Sequence, residues 1–356
     1  MTKWTDFSSR DWDRIEKNWT SWWNESLERP IIVIESISAE SKLTLSDIKP
    51  HLTQYGFEEP VEPILSKIEL NLNMLEYLGD AFPRWHPNFG TGFVALLLGS
   101  KPEFINGTTW YHPAESESLL GLNEKIDRSN LWLRQMERFL ACTNSSWRKF
   151  VLGHTDIGGN LDLLASLQGS QKLLFDLVEN PIQVNSRLTQ ITKVWLEFFN
   201  LFESYIPESQ NGRSGWAPIW APGTTYMLQC DFSAMISKKM FQEFVIPDLE
   251  ACCDHIDFPF YHLDGPGAIR HLDSLLKIEK LKGIQWIPGA GAPPAEEWIP
   301  LLEKIRNAGK LCQLFCSLEG AIKISQSIGG QGFAFCIGDG RFASPEEAQK
   351  CLEYFL

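Results

Sequence analysis

His262 and Asp264 are the residues whose types and spacing point most directly to chemistry. They follow the apolar run Phe258 to Tyr261 and precede the turn Gly265-Pro266-Gly267. Strand residues two apart share a face. An imidazole and a carboxylate at one strand end can therefore meet one metal ion or one substrate. Asp339, between two glycines after the apolar run Phe333 to Ile337, offers a further carboxylate, and Cys336 inside that run offers a thiol. A metal ion on His262, Asp264, Asp339 or Cys336 would lower the pKa of a bound thiol or hydroxyl. The plainer reading is a histidine held by nearby backbone and aspartates bracing turns.

A second polar loop, Gly153-His154-Thr155-Asp156-Ile157-Gly158-Gly159-Asn160, joins a short apolar strand to an apolar helix. Asp156, with His154 beside it, suits substrate orientation or proton transfer; it also suits a helix cap. The glycines would let a ligand approach the backbone. Neither GxGxxG nor a phosphate-loop lysine is present, so a nucleotide motif is not supported. Asp80 and Trp85 stand in a loop rich in turn formers that runs to Gly90, and loops of that kind often carry function. Trp85, Trp216, Trp220, Tyr226, Tyr261 and Trp286 are candidates for an aromatic wall around a small ligand, although core packing explains any one of them equally well. Gln285 and Trp286 alternate on a short strand, so only one of them faces the interior. Arg341 could grip an anionic substrate or form a surface ion pair.

These residues need a scaffold that presents strand ends to one side. The segment from Phe258 to Gly291 reads as strand, turn, amphipathic helix and strand. After it, helices are expected over Ala295 to Ala308, Gly320 to Ile328 and from Ser344 onward, alternating with strands at Leu311 to Phe315 and Phe333 to Ile337. Ser344, Pro345 and Glu347 form a capping pattern. Such alternation implies a parallel sheet, with its chemistry at the carboxyl ends of the strands. Earlier in the chain, helices are expected over residues 8–27, Pro60 to Leu78, Leu120 to Cys142, 170–178, 181–205 and Ser233 to His255. Strands are expected at Ile31 to Glu35 and Phe150 to Leu152.

The chain has 356 residues, 44% of them apolar, and a formal net charge of -13. No apolar run approaches the roughly 20 residues needed to cross a bilayer, and no long basic run suggests nucleic acid. The N-terminus lacks a signal-peptide core, so a cytoplasmic protein with no membrane or nucleic-acid partner is expected. None of the eight cysteines forms a CxxC pair, and buried free thiols are the default.

The order of these pieces resembles the superfamily that holds uroporphyrinogen decarboxylase and the methylcobamide:coenzyme M methyltransferases. The resemblance rests on Arg29-Pro30 before a strand, the loop at Asp80, His154-Thr155-Asp156, and Phe260-Tyr261-His262-Leu263-Asp264-Gly265. The closing Gly338-Asp339-Gly340 and Ser344-Pro345-Glu346-Glu347-Ala348 also match. The chain looks most like a bacterial branch described as trimethylamine-corrinoid-protein-like. The resemblance implies a single (β/α)8 TIM barrel over residues 1–356, with residues 1–30 as a helical N-terminal extension. It implies a corrinoid-linked methyltransferase acting on a small methyl donor or thiol acceptor, assisted by zinc or another divalent metal. Because the chain lacks a DxHxxG pattern, a methyl-corrinoid would be carried by a partner protein. A homodimer is also implied.

Two departures shape that expectation. Ile34-Glu35-Ser36-Ile37-Ser38 stands where the porphyrin decarboxylases carry an arginine-bearing loop, which argues against a porphyrin substrate. His262-x-Asp264 stands where the zinc methyltransferases carry His-x-Cys, which makes the site harder and less zinc-selective. The rivals are a decarboxylase-like lyase on a non-porphyrin carboxylic acid, which requires cationic groups such as Arg84 or Arg341 in the pocket, and a non-catalytic ligand-binding barrel, in which Asp156, Asp264 and Asp339 do not converge.

Overall fold

A computed structural model describes residues 2–3, 7–37, 41, 43–113, 125–146, 150–338 and 342–356. Asp339 and Arg341, both proposed site residues, lie outside them.

The core is an eight-stranded sheet ordered Thr2–Lys3, Leu75–Gly79, Ile31–Ile37, Phe333–Ile337, Leu311–Cys316, Gly283–Ile287, Phe258–Asp264 and Thr225–Gln229. From Ile31–Ile37 to Thr225–Gln229 every neighbouring pair is parallel, and the helices between them supply the crossovers such pairs require. The alternation in the C-terminal half is thus realised as an α/β fold. The ladder does not close on itself among the described residues. A short parallel pair, Arg84–Trp85 with Val151–Leu152, stands apart from it.

Local sequence explains most helix ends. Ser8 and Asp11 form a reciprocal capping box on helix Ser9–Trp23, which buries Ile15, Trp19, Trp22 and Trp23. Trp22 and Trp23 pack on Phe260 and Phe258, at the start of the strand that ends in His262 and Asp264. The aromatic helix therefore covers the amino ends of the strands, opposite the site. Ser344 caps Pro345–Phe355 through the Glu347 amide, as its pattern foretold.

Several expected helices differ. The one expected from Leu120 to Cys142 spans Leu131–Ser146, and residues 125–130 before it are turn, bend and irregular chain. The segment read as one helix from Pro60 to Leu78 is a helix only over Val61–Leu72; Leu75–Gly79 then turns back as an antiparallel strand beside Ile31–Ile37. Asn71, Asn73 and Met74 interrupt the apolar period there, and Leu75, Tyr77 and Leu78 gain more by packing on the sheet. The segment from Ser233 to His255 is broken into a 3-10 turn at Asp231–Met235 and helices Lys238–Phe244 and Ile246–His255. Pro247 sits in the first turn of the last one, where its missing N–H costs nothing. No helix among the described residues is long and apolar enough to cross a membrane.

Candidate active site

The parallel register lays four polar side chains along one rung, Gln229, His262, Gln285 and Gln313. Adjacent parallel strands place paired residues on the same face, so this rung is a polar band inside an apolar sheet. Gln285 and Gln313 are fully buried. Buried amides must spend every hydrogen bond inside the protein, and here they form a chain. Gln313 Nε2 donates to the Pro218 carbonyl at 3.0 Å, Gln285 Nε2 donates to Gln313 Oε1 at 2.8 Å, and Gln285 Oε1 meets His262 Nδ1.

Beyond the strand ends, ligand atoms of Asp231, His262 and Asp264 all lie within 4.8 Å of one another, with the two carboxylates exposed and the imidazole half-buried. His262 and Asp264 were expected to share a ligand; Asp231 was missed. It stands two residues past the strand Thr225–Gln229, a position that marks it by the same strand-end logic. Two carboxylates and one imidazole make a hard, borderline donor set that fits a divalent cation.

Two further aspartates crowd this group. Asp162 accepts the amides of Asp231 at 3.0 Å and Phe232 at 2.7 Å, which fixes the turn carrying Asp231. Burial and the charge of Asp231 raise the Asp162 carboxyl. Burial raises Asp231 too; His262 opposes that shift and Asp264 adds to it. Asp156 accepts the Gly158 amide at 2.9 Å and lies 3.5 Å from the Tyr226 hydroxyl. Burial first, and then the Asp231 charge, push it up to about 7. Asp156 is thus poised to give or take a proton near neutrality. Gly159 belongs to this packing. A side chain there would strike the Gln229 carbonyl oxygen and an Asp162 oxygen, so its open space is filled by the protein's own atoms and not by a ligand.

On the other side of the rung is a cavity of about 220 Å³. Val33, Trp216, Ala217, Pro218, Phe315 and Ile337 give it an apolar wall, and Glu35, Lys49, Arg84, Gln285 and Cys336 give it polar groups. Lys49 Nζ lies 3.7 Å and Arg84 Nε 3.6 Å from the Glu35 carboxylate. Two cations therefore share one anion. Arg84 is 5% exposed, donates to the Trp216 carbonyl at 3.3 Å, and has an Nε without a hydrogen-bond partner. Burial pulls Lys49 down to about 8, and Arg84 adds to that shift. Burial opposes the Glu35 charge, yet Lys49 and Arg84 hold its carboxyl below the usual range. Trp216 joins the two regions, lining the cavity while its ring stands edge-on to His262 at 5.3 Å.

The remaining candidates separate clearly. Trp216 and Gln285 line the cavity, and Tyr226 contacts Asp156. Tyr261, one residue before His262, is buried with its hydroxyl at Ser233 beneath the Asp231 turn, off the cavity. Cys336 lines the cavity but is not in the Asp231–His262–Asp264 group; it accepts from Gln313 Nε2 at 3.6 Å, and burial pushes its thiol up to about 12. Trp286 takes the opposite face from Gln285 and packs on Trp298 at 5.1 Å. His154 points into the helix layer, where its ring stacks on Phe199 and its Nε2 meets Glu203 at 2.7 Å. Trp220 donates to the Asn211 carbonyl and receives Trp23 at its own carbonyl. Trp85 is buried, on the alternate face to Arg84. Asp80 is fully buried and accepts from Arg29, Asn18 and the Ile32 amide, so its oxygens are committed to the N-terminal staple and not to substrate.

Glu35 and Lys49 were also missed. Glu35 had a signal, a carboxylate inside the apolar strand Ile31–Ile37. Lys49 had none in its own segment; it is placed by Asn88, whose Nδ2 donates to the Lys49 carbonyl at 2.9 Å and whose own carbonyl accepts the Leu52 amide. No protein-family model and no curated protein sequence matches this chain.

Proposed function

We propose that this chain is a barrel enzyme that acts as a carboxy-lyase on a small non-porphyrin carboxylic acid. The observation that carries this reading is a pair of cations, buried Arg84 and half-buried Lys49, sharing the single carboxylate of Glu35 at the wall of a largely apolar cavity. An excess charge out of water is costly unless something compensates it, and an organic anion with an apolar body suits both the charge and the wall. The cavity volume of about 220 Å³ lies below the usual range for drug-sized ligands, so it favours a small acid over a tetrapyrrole. The closed barrel is part of the proposal. It is supported by the Val151 and Gly153 amides bonding to the Pro83 and Trp85 carbonyls and the His154 amide to that of Ser214, which link short segments outside the main ladder.

In this reading Arg84 holds the carboxylate with Lys49 beside it, and Gln285 and Trp216 carry contact across to His262. The test is thermal stabilisation by a panel of short-chain carboxylic acids beside their neutral amides. Acids are expected to stabilise the wild type and to lose that effect in Arg84→Gln. Equal shifts from acids and amides would sink the reading.

A second reading has its own support, the cation-type group of Asp231, His262 and Asp264. These residues would hold a divalent metal ion, which would activate a thiol or hydroxyl acceptor for methyl transfer. The methyl group would arrive on a corrinoid carried by a partner protein. With manganese or zinc added, consumption of free methylcobalamin by a simple thiol, lost in His262→Ala, supports it. A rate equal to the protein-free background removes it.

A further inference from the structure

Lys49 and Lys310 are both withdrawn from water, and they are used differently. Lys310 Nζ donates to the carbonyls of Ile278 and Leu281 at 2.8 and 2.7 Å. It closes a loop and has nothing left to offer. Lys49 Nζ has Glu35 at 3.7 Å, longer than a hydrogen bond, and it faces a cavity. Its side chain is 17% exposed, so a small molecule can reach it. Arg84 beside it reaches Glu35 through Nε only at 3.6 Å, also longer than a hydrogen bond. The other nucleophile on the wall, Cys336, is held as a thiol.

We propose that Lys49 is an amine nucleophile that captures the carbonyl of a small oxo acid as an imine, with Arg84 gripping the acid's carboxylate and Glu35 carrying the proton. This assignment rests on the cavity being a carboxylic-acid site. Amines beside a second cation and out of water are the ones that serve this chemistry. With Lys49 drawn down to about 8, roughly a tenth of it is free amine at pH 7, against well under a hundredth for an ordinary lysine. Glu35 is ionised and can accept the ammonium proton.

The step balances without an added reagent. Lys49 gives one proton to Glu35, and its nitrogen attacks the carbonyl carbon. The carbon–nitrogen bond forms as the carbonyl π pair moves to oxygen. Glu35 returns its proton to that oxygen, a second nitrogen proton follows, and water leaves to give the imine. For a 3-oxo acid the protonated imine can then accept the electron pair of the carbon–carboxylate bond. Carbon dioxide departs, a solvent proton ends on carbon, and water releases the ketone. Arg84 supplies recognition of the acid, and the imine supplies the electron sink that a carboxy-lyase needs.

The test uses the full chain with pyruvate or acetoacetate as the probe and sodium cyanoborohydride as the reductant, followed by peptide mass spectrometry. The expected result is one reduced adduct per chain on the peptide that contains Lys49, lowered at least tenfold by excess propionate and absent in Lys49→Arg. Thermal stabilisation by propionate is read in parallel on the same samples. Stabilisation by propionate with no adduct on Lys49, or with adducts spread over exposed lysines and unchanged in Lys49→Arg, overturns the imine and leaves the acid site standing. No stabilisation by propionate and no adduct overturns both. Because the map is made on the wild type, misfolding of a variant cannot hide the answer.

Discussion

The Nε2 of Gln313 lies 3.0 Å from the carbonyl oxygen of Pro218, and that contact decides which nitrogen of His262 carries a proton. A carbonyl only accepts, so Gln313 presents its NH2 there and its oxygen to Gln285. Gln285 must then donate to Gln313 and accept from His262. His262 is therefore protonated at Nδ1, and the Nε2 lone pair is left for a ligand or a proton. Oriented partners of this kind fix both the tautomer and the ring direction of metal-binding histidines.

On the metal reading, Gln285→Leu should weaken divalent-ion binding about 10- to 100-fold, the usual cost of losing such a partner. Titration calorimetry with manganese on wild type and variant reads the loss, and nitrogen NMR of His262 reads the tautomer. Unchanged affinity with an unchanged tautomer would mean that the amide chain merely fills space.

Ligand identity gives a sharper contrast. On the same metal reading, Asp231→Asn and Asp264→Asn should each lower manganese affinity by at least about tenfold, as losing even an outer partner does. Cys336→Ser should leave it unchanged, because the thiol belongs to the cavity wall and not to the group of three. Elemental analysis after dialysis against the metal checks all three. A loss confined to Cys336→Ser would reverse the assignment.

The difference between these residues also marks what could be read from the chain. His262 and Asp264 were legible because strand periodicity alone puts both on one face. The alternating α/β order was legible because glycines, prolines and caps punctuate it. Asp231 was not legible because it sits in a 3-10 turn just past its strand, where the chain has no apolar period to mark the strand end. Lys49 was hidden by distance, since contacts from Asn88 and Asn71, far along the chain, bring its segment over Glu35. Sequence spacing speaks for neighbours along one strand and is silent on partners delivered by a separate loop.

Charge imbalance in the cavity makes a stability prediction. Glu35 is the one carboxylate compensating Lys49 and Arg84 among the described ion pairs. Glu35→Gln leaves two cations facing each other in a partly buried wall and should cost about 3 kcal/mol. Adding Arg84→Gln to it should restore part of that loss, a non-additive pair of the kind expected for contacting charges. Urea unfolding of the two single variants and the double measures the coupling. Simple additivity would show that solvent already screens the three groups.

Asp156 ties stability to pH with a definite sign. Its carboxyl rises from 3.8 to about 7 in the folded chain, so the folded state holds a proton that the unfolded state gives up. That contribution is fully present below the ordinary aspartate value and is lost as pH rises through about 7. Asp156→Asn removes the term, so its melting temperature should gain on the wild type between pH 5 and pH 8, by roughly 2 °C or more. A constant difference across that range would place the Asp156 proton elsewhere.

Asp80 separates structure from chemistry. It is buried and takes two guanidinium bonds from Arg29, one from Asn18 and one from the Ile32 amide. The Trp19 indole donates to its backbone carbonyl at 2.9 Å. These bonds hold the aromatic N-terminal helix against the amino ends of the strands, remote from His262. Asp80→Asn breaks a largely buried ion pair and should destabilise the fold by about 3 kcal/mol, while manganese affinity and acid-induced stabilisation, measured well below the lowered melting point, stay at their wild-type values. Were Asp80 instead a substrate ligand, the same variant would lose acid binding in a chain whose unfolding midpoint had barely moved.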